Sequence, residues 1–273
     1  IAQVSSWMKE VDPDTGRVHG YVNSNGAVTS RMTHSHPNMA QIPSINSPYG
    51  KDCRACWAVP EGYKLVGIDA SSLELRMLAH EMNDEDYTNE ILNGDIHTTN
   101  QNLAGLESRS QAKTFIYALL YGAGDAKLGT VVGRGREAGK QLRERFFASL
   151  PSFKALKNRI SREASTGYVK GLDGRKLTVR SEHAALNTLL QGAGAIVMKE
   201  ALTIFNTKLN KKNLDVKFVA NVHDEWQLEV KEEQADEVGR LGVLAIRETT
   251  CSLNLKCPLD GEYSVGNNWA ETH

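Results

Sequence analysis

The chain has 273 residues, 40% of them hydrophobic, with a formal net charge of −1 and four cysteines. That apolar content can bury the core of one or two domains, and the balanced charge does not by itself mark a nucleic-acid binder. The cysteines are too few for a disulfide framework, no apolar run approaches membrane-spanning length, and there is no signal peptide.

The sequence opens at Ile1 without a methionine, in a helix-like segment, and reads as a fragment or one part of a divided protein. GRVHGYVNSNGAVTSRMTH then carries two short alternating runs around Asn25-Gly26, a hairpin signal. A loop punctuated by Pro37, Pro43, Pro48 and Pro60 follows. Within it Cys53 and Cys56 have zinc or redox spacing, but their only mates would be Cys251 and Cys257, and ordinary loop cysteines are the better reading. The apolar run Leu65–Ile68 ends in Asp69, and Leu75, Leu78, Ala79 and Met82 recur at the spacing of one buried helix face. Asp69 is therefore expected at the end of a buried strand, its carboxylate out over a sheet edge. Asp84 and Asp95 mark the starts of short helices.

The spacing predicts a helix over about 108–120 in which Arg109, Lys113, Tyr117 and Tyr121 recur every four residues. A step of four drifts only about 40° per repeat on a 3.6-residue helix, so the four share one face. Ala112, Phe115, Ile116, Leu119 and Leu120 occupy the other. Two cations followed by two phenols suit a phosphate tail, then a sugar, then a base. A merely solvated helix face is the plainer alternative, disfavoured because the stripe stays strictly polar. Helices are expected over 136–148 and 151–165, then turns at Gly171 and Asp173-Gly174 and a strand at Lys176–Val179. Residues 134–180 are rich in Arg and Lys, from Arg134 to Arg180, with few acids. Solvation explains part of this, and the excess is the footprint expected beside a phosphate backbone. A long helix from about His183 to Leu209 leads into FVANVHDEWQLEV, read as a hairpin whose tight turn presents Asp224 and Glu225. A helix over 232–248 follows.

DASSLELR, R-x3-K-x3-Y-x3-YG and VHDE, in this order and at these separations, resemble motifs A, B and C of the family A (Pol I-like) DNA polymerases. HGYVNSNGAVTSRMTHSHPNMAQIP, EILNGDIHTTNQ, AKTFIYALLYGAGD, GLDGRK and HAALNTLLQGAGA are similar to the branch of short-tailed bacteriophages that borrow host thioredoxin. The resemblance runs from about Gly16 to His273.

It implies an α+β fold of polymerase right-hand architecture, an antiparallel palm sheet with inserted helical fingers and most of the thumb absent. Residues 1–14 would be a remnant of the thumb, 15–82 the first part of the palm, 83–186 the fingers and 187–273 the second part of the palm. It further implies two Mg2+ ions held by Asp69, Asp224 and the Ala70 carbonyl, with Glu225 orienting water or the primer end. His97, Arg109 and Lys113 would meet the triphosphate of a deoxynucleotide, and Lys113 would protonate the leaving pyrophosphate. Tyr117 would lie over the sugar and base, where bacterial members usually carry Phe, and Tyr121 near the template base. Glu74 would occupy the space beside the ribose 2′ carbon. Arg31, His183, Asn187, Gln191 and His223 would face primer–template DNA, His183 standing where bacterial relatives have Arg.

The expected activity is DNA-templated primer extension in phage replication, in the cytoplasm of an infected bacterium, with no membrane partner. An exonuclease and thumb part would lie N-terminal, as a separate chain or domain, and a thioredoxin-type processivity factor would be reached only through that thumb. A single-subunit RNA polymerase relative is the alternative enzyme, and Glu74 argues against it. A non-catalytic DNA-binding polymerase fragment needing a missing N-terminal part is the other alternative; loss of Asp69 or Asp224 would support it, and both are present. A metal nuclease would not need the triphosphate stripe.

Overall fold

The computed structural model describes residues 2–273; the expected helical start at Ile1 lies outside them. In chain order the first elements are α1 (Ala2–Lys9), β1 (Tyr21–Asn23), β2 (Thr33–Ser35), α2 (Gly50–Ala55), β3 (Tyr63–Ala70), α3 (Leu73–Met82), α4 (Glu85–Asn93) and α5 (Ile96–Ala104). There follow α6 (Arg109–Leu120), α7 (Asp125–Thr130), α8 (Arg136–Ser149), α9 (Pro151–Ala164), β4 (Tyr168–Lys170) and β5 (Lys176–Thr178). The remainder is α10 (Ala185–Lys211), β6 (Val216–Val222), β7 (Glu225–Lys231), α11 (Ala235–Ser252) and β8 (Gly261–Gly266). The fold is α+β and divides into two compact units. One comprises residues up to Leu73 with Gly194–Asn254 and Leu259–His273, the other Glu74–Ala193 with Leu255–Pro258.

The first unit is built on an antiparallel sheet of order β6-β7-β3-β8. Alternation along β3 and β7 sends Val66, Ile68, Trp226, Leu228 and Val230 to one face, where all are fully buried. There Trp226 stacks on Phe205 of α10 at 5.4 Å. Gly242 of α11 sits where any Cβ would run into Ile68, so the helix can lie close on the sheet. The other face carries Asp69 opposite Glu225 and Gly67 opposite Gln227. The C-terminal segment crosses that face at Gly67, since a Cβ there would meet the Thr272 carbonyl. Its Trp269 joins Trp7, Ile42 and Leu65 in a small core, with the Arg54 guanidinium 4.4 Å over the indole.

The second unit is mostly helical. Ala112, Phe115, Ile116, Leu119 and Leu120 form the buried face of α6, as their spacing requires. Phe115 meets Phe146 of α8 edge-on at 5.6 Å, and Phe146 meets Phe153 of α9 at 5.4 Å. Asp84, Asp95 and Ser108 cap α4, α5 and α6 through their side chains, and Pro151 opens α9.

Three expectations are corrected. The hairpin around Asn25-Gly26 forms as β1 and β2, but Asn23 pairs with Thr33, so residues 24–32 are a long connection rather than a tight turn. The left-handed residue in it is Ser30, while Gly26 is needed because a Cβ would strike the Thr33 side chain. α10 and α11 are each preceded by a 3₁₀ turn, at Glu182–Ala184 and Glu232–Gln234, which delays their starts. Finally, the segment Glu182–Lys211 is long and apolar enough to cross a membrane by composition, but 61% of its most apolar window is buried inside the fold, as in a core helix.

Candidate active site

In the first unit, a two-residue turn of His223 and Asp224 joins β6 to β7, with Val222 paired to Glu225. His223 takes the left-handed conformation, φ 60°, that such a turn demands. The Asp224 carbonyl accepts the Ala70 N–H at 3.0 Å, tying the turn to the end of β3 beside Asp69. Burial, then the neighbouring Asp224 and Glu225 charges, push the Asp69 carboxyl up to about 7. Burial likewise raises Asp224, against the opposing pull of the Arg31 charge, which also acts on His223. Two carboxylates held half out of water and against each other are short of positive charge, which suits a hard divalent cation.

Glu225 has a different environment. It lies directly across the β3–β7 ladder from Asp69, but its carboxylate is taken up by the C-terminal segment. It is buried, and its carboxylate accepts the Trp269 Nε1–H at 2.6 Å, the His273 Nδ1–H at 2.9 Å and the Gln227 amide. Burial opposes ionisation of Glu225, but these donors, His273 foremost, hold it below the usual carboxylate range. Among the described residues no group of three or more His, Cys, Asp and Glu side chains is arranged to hold a metal ion. The residues that could do so are Asp69 and Asp224 with the Ala70 carbonyl, a small set of the kind magnesium tolerates. Trp269→Phe leaves the buried Glu225 one donor short and replaces the buried indole with a smaller aromatic ring. It is expected to cost about 1.5–3 kcal/mol, read as a lowered Tm.

In the second unit, Arg109, Lys113 and Tyr121 are exposed and Tyr117 half-buried along α6. His97, in the first turn of α5, lies with its ring centroid 6.3 Å from that of Tyr117. Burial, with Arg109 and Lys113 nearby, lowers the His97 pKa and favours the neutral imidazole. The Tyr121 hydroxyl donates to the Glu74 carboxylate at 2.9 Å. Gly122 follows with φ 78°, and a Cβ there would collide with the His183 carbonyl. Asn187 and Gln191 are half-buried on one face of α10, between the buried Leu186, Leu189 and Leu190. In the basic segment, Arg143, Arg159 and Arg175 are paired with Asp125, Glu81 and Asp173. Arg134, Arg136, Lys140, Arg145, Lys154 and Arg162 are exposed.

The sequence reading missed Gln227, Trp269 and His273, and took Asp95 only as a helix start. Alternation along β7 could have put Gln227 beside Glu225; nothing local signals the other two.

An antiparallel sheet presenting a half-buried carboxylate pair, in a chain that also has a helical unit bearing a cation-then-phenol stripe, is the architecture of a right-hand nucleic-acid polymerase. The sequence model of DNA polymerase family A matches residues 2–271, and the chain belongs to that family. It is 44% identical to the DNA-directed DNA polymerases of Enterobacteria phage T3 and Escherichia phage T7, across 98% of its own length and 43% of theirs. Against the thermostable DNA polymerase I of Thermus filiformis it is 34% identical, over 96% of this chain and 33% of that one. A solved structure titled the POL domain of Pol1 from M. smegmatis, in complex with DNA primer-template and dNTP, superposes with a TM-score of 0.89. That match has 25% identity and covers 99% of this chain and 51% of the other. The chain thus spans less than half the length of the phage relatives. Divalent-metal dependence is general in this family.

Proposed function

We propose that this chain performs DNA-templated DNA synthesis, extending a primer 3′ end with deoxynucleoside triphosphates, in phage replication in the cytoplasm of an infected bacterium. The observation that carries the reading is the family match over residues 2–271 in a chain that keeps both Asp69 and Asp224. We extend it to two Mg2+ ions as cofactors, and to partners of the whole polymerase: an exonuclease and thumb part, and through that thumb a thioredoxin-type processivity factor.

Asp69, Asp224 and the Ala70 carbonyl are the proposed metal ligands. Bound divalent ions would activate the primer hydroxyl and neutralise the leaving pyrophosphate. Glu225, committed to Trp269, Gln227 and His273, acts by orienting its surroundings rather than as a ligand. Arg109 grips two phosphate oxygens, Lys113 contributes a point charge and a proton for the pyrophosphate, and neutral His97 donates a hydrogen bond. Tyr117 covers the sugar and base. Glu74 excludes a ribose 2′ hydroxyl, with the Tyr121 hydroxyl holding its carboxylate in place. Arg31, Asn187, Gln191, His183 and His223 serve the primer–template, where minor-groove acceptors recur in every correct pair.

Primer extension with magnesium and four deoxynucleotides tests the reading; nicking of the template without extension would replace it with a nuclease. Lys113→Ala is expected to raise the deoxynucleotide KM and lower kcat while the primer–template Kd stays the same. The lost charge-assisted contact is worth about 1.5–3 kcal/mol, and the lost proton donor adds a rate penalty. A change confined to the DNA Kd would make the stripe a DNA contact.

A further inference from the structure

The carboxylate of Asp95 joins two segments assigned to the triphosphate. One oxygen, Oδ1, accepts the backbone N–H of His97 at 3.1 Å, capping α5. The same carboxylate accepts Arg109 Nε–H at 2.6 Å and Nη2–H at 3.1 Å, a two-point grip on the first residue of α6. Thr98 Oγ adds a bond at 2.9 Å, so the carboxylate itself is fixed from three sides. Arg109 and Asp95 are 57% and 41% exposed as side chains, and exposed pairs add little to stability. The value of the contact is therefore orientation. It occupies the Nε edge of the guanidinium and leaves the Nη1 edge and one Nη2 hydrogen for phosphate oxygens.

We propose that Asp95 is a positioning residue for nucleotide binding: it presets the Arg109 fork and the His97 turn as one phosphate-gripping unit. A long arginine chain loses rotamer freedom when it grips a ligand, and here that ordering precedes binding. The carboxylate caps α5 itself, whereas from α6 it receives only the Arg109 side chain, α6 being capped by Ser108. The proposal rests on reading Arg109 as a triphosphate contact.

Asp95→Asn provides a clean test, because Asn caps a helix as well as Asp but cannot accept both guanidinium N–H groups. In primer extension by the full polymerase chain, the deoxynucleotide KM of D95N is expected to rise about tenfold, with kcat within about twofold. Primer–template Kd and Tm should not move, as they would if Asp95 only supported the fold. D95N on an R109A background should add nothing to the R109A effect. If R109A raises KM and D95N does not, the positioning role is overturned while the reading of Arg109 stands. If D95N lowers KM, Asp95 competes with the phosphates and the proposal is overturned with its sign reversed. Additive effects of the two substitutions also overturn it. If R109A leaves KM unchanged, the triphosphate reading falls and takes the proposal with it.

Discussion

Asp69→Asn is expected to lower primer extension by on the order of a thousandfold and, without divalent cations, to make the protein more heat-stable. Both follow from one carboxyl. In the fold its pKa rises from 3.8 to about 7, through burial and then the charges of Asp224 and Glu225. The folded state therefore holds this proton more tightly than the unfolded chain. Stability falls as pH climbs from about 4 to about 7; below that window the penalty is absent, above it complete. The shift corresponds to at most about 4 kcal/mol, less for the water that still reaches Asp69. Asn cannot ionise, so the Tm advantage of the variant should grow through the window and level off near pH 8. Saturating magnesium at pH 8 should raise the parent's Tm and erase the difference, as cation binding to the folded state stabilises it. Calorimetry at pH 4, 6 and 8, with magnesium or chelator, checks this. A Tm difference independent of pH would show that Asp69 does not titrate there, and extension within tenfold of the parent would remove it from the metal site. Asp224→Ala should abolish extension equally and leave duplex binding intact, since phosphate contacts elsewhere hold the DNA.

Tyr117→Phe should leave deoxynucleotide incorporation almost unchanged and reduce dideoxynucleotide incorporation sharply. The ring is half-buried beside His97 on the exposed edge of α6, and the buried face already has its five apolar occupants. Removing the hydroxyl keeps the ring and its stacking. With a normal substrate, the sugar's own 3′ hydroxyl fills the gap. With a dideoxy substrate neither side offers it, and a polar group left unpaired in a closed site costs about 1–3 kcal/mol, ten- to a hundredfold in selectivity. The ratio of dideoxy to deoxy incorporation efficiency for parent and variant is the measurement. An unchanged ratio would detach Tyr117 from the sugar.

Much of this site was legible because its parts are local. The polar and apolar faces of α6 follow from a 3.6-residue period, and all five residues expected inside are buried. The end of β3 at Asp69 and the tight His223–Asp224 turn follow from apolar runs and their interruption. The caps at Asp84 and Asp95 follow from a short acceptor placed before a helix. In each case backbone geometry over a few residues decides the outcome, and side-chain order along the chain records it.

Tertiary structure decided what each group touches. Asp224 and Glu225 look like a pair in sequence, but a strap from the C-terminal segment gives Glu225 to Trp269, 44 residues away, and to His273. Asp95 reads as a cap until its carboxylate is seen to hold Arg109, 14 residues on, and nothing in the sequence signals that the Tyr121 hydroxyl reaches Glu74 across 47. Such contacts depend on sheet register and helix packing, which sum many weak interactions over the whole chain. Periodicity in the sequence could establish which face each residue occupies; only packing could establish which partner waits there.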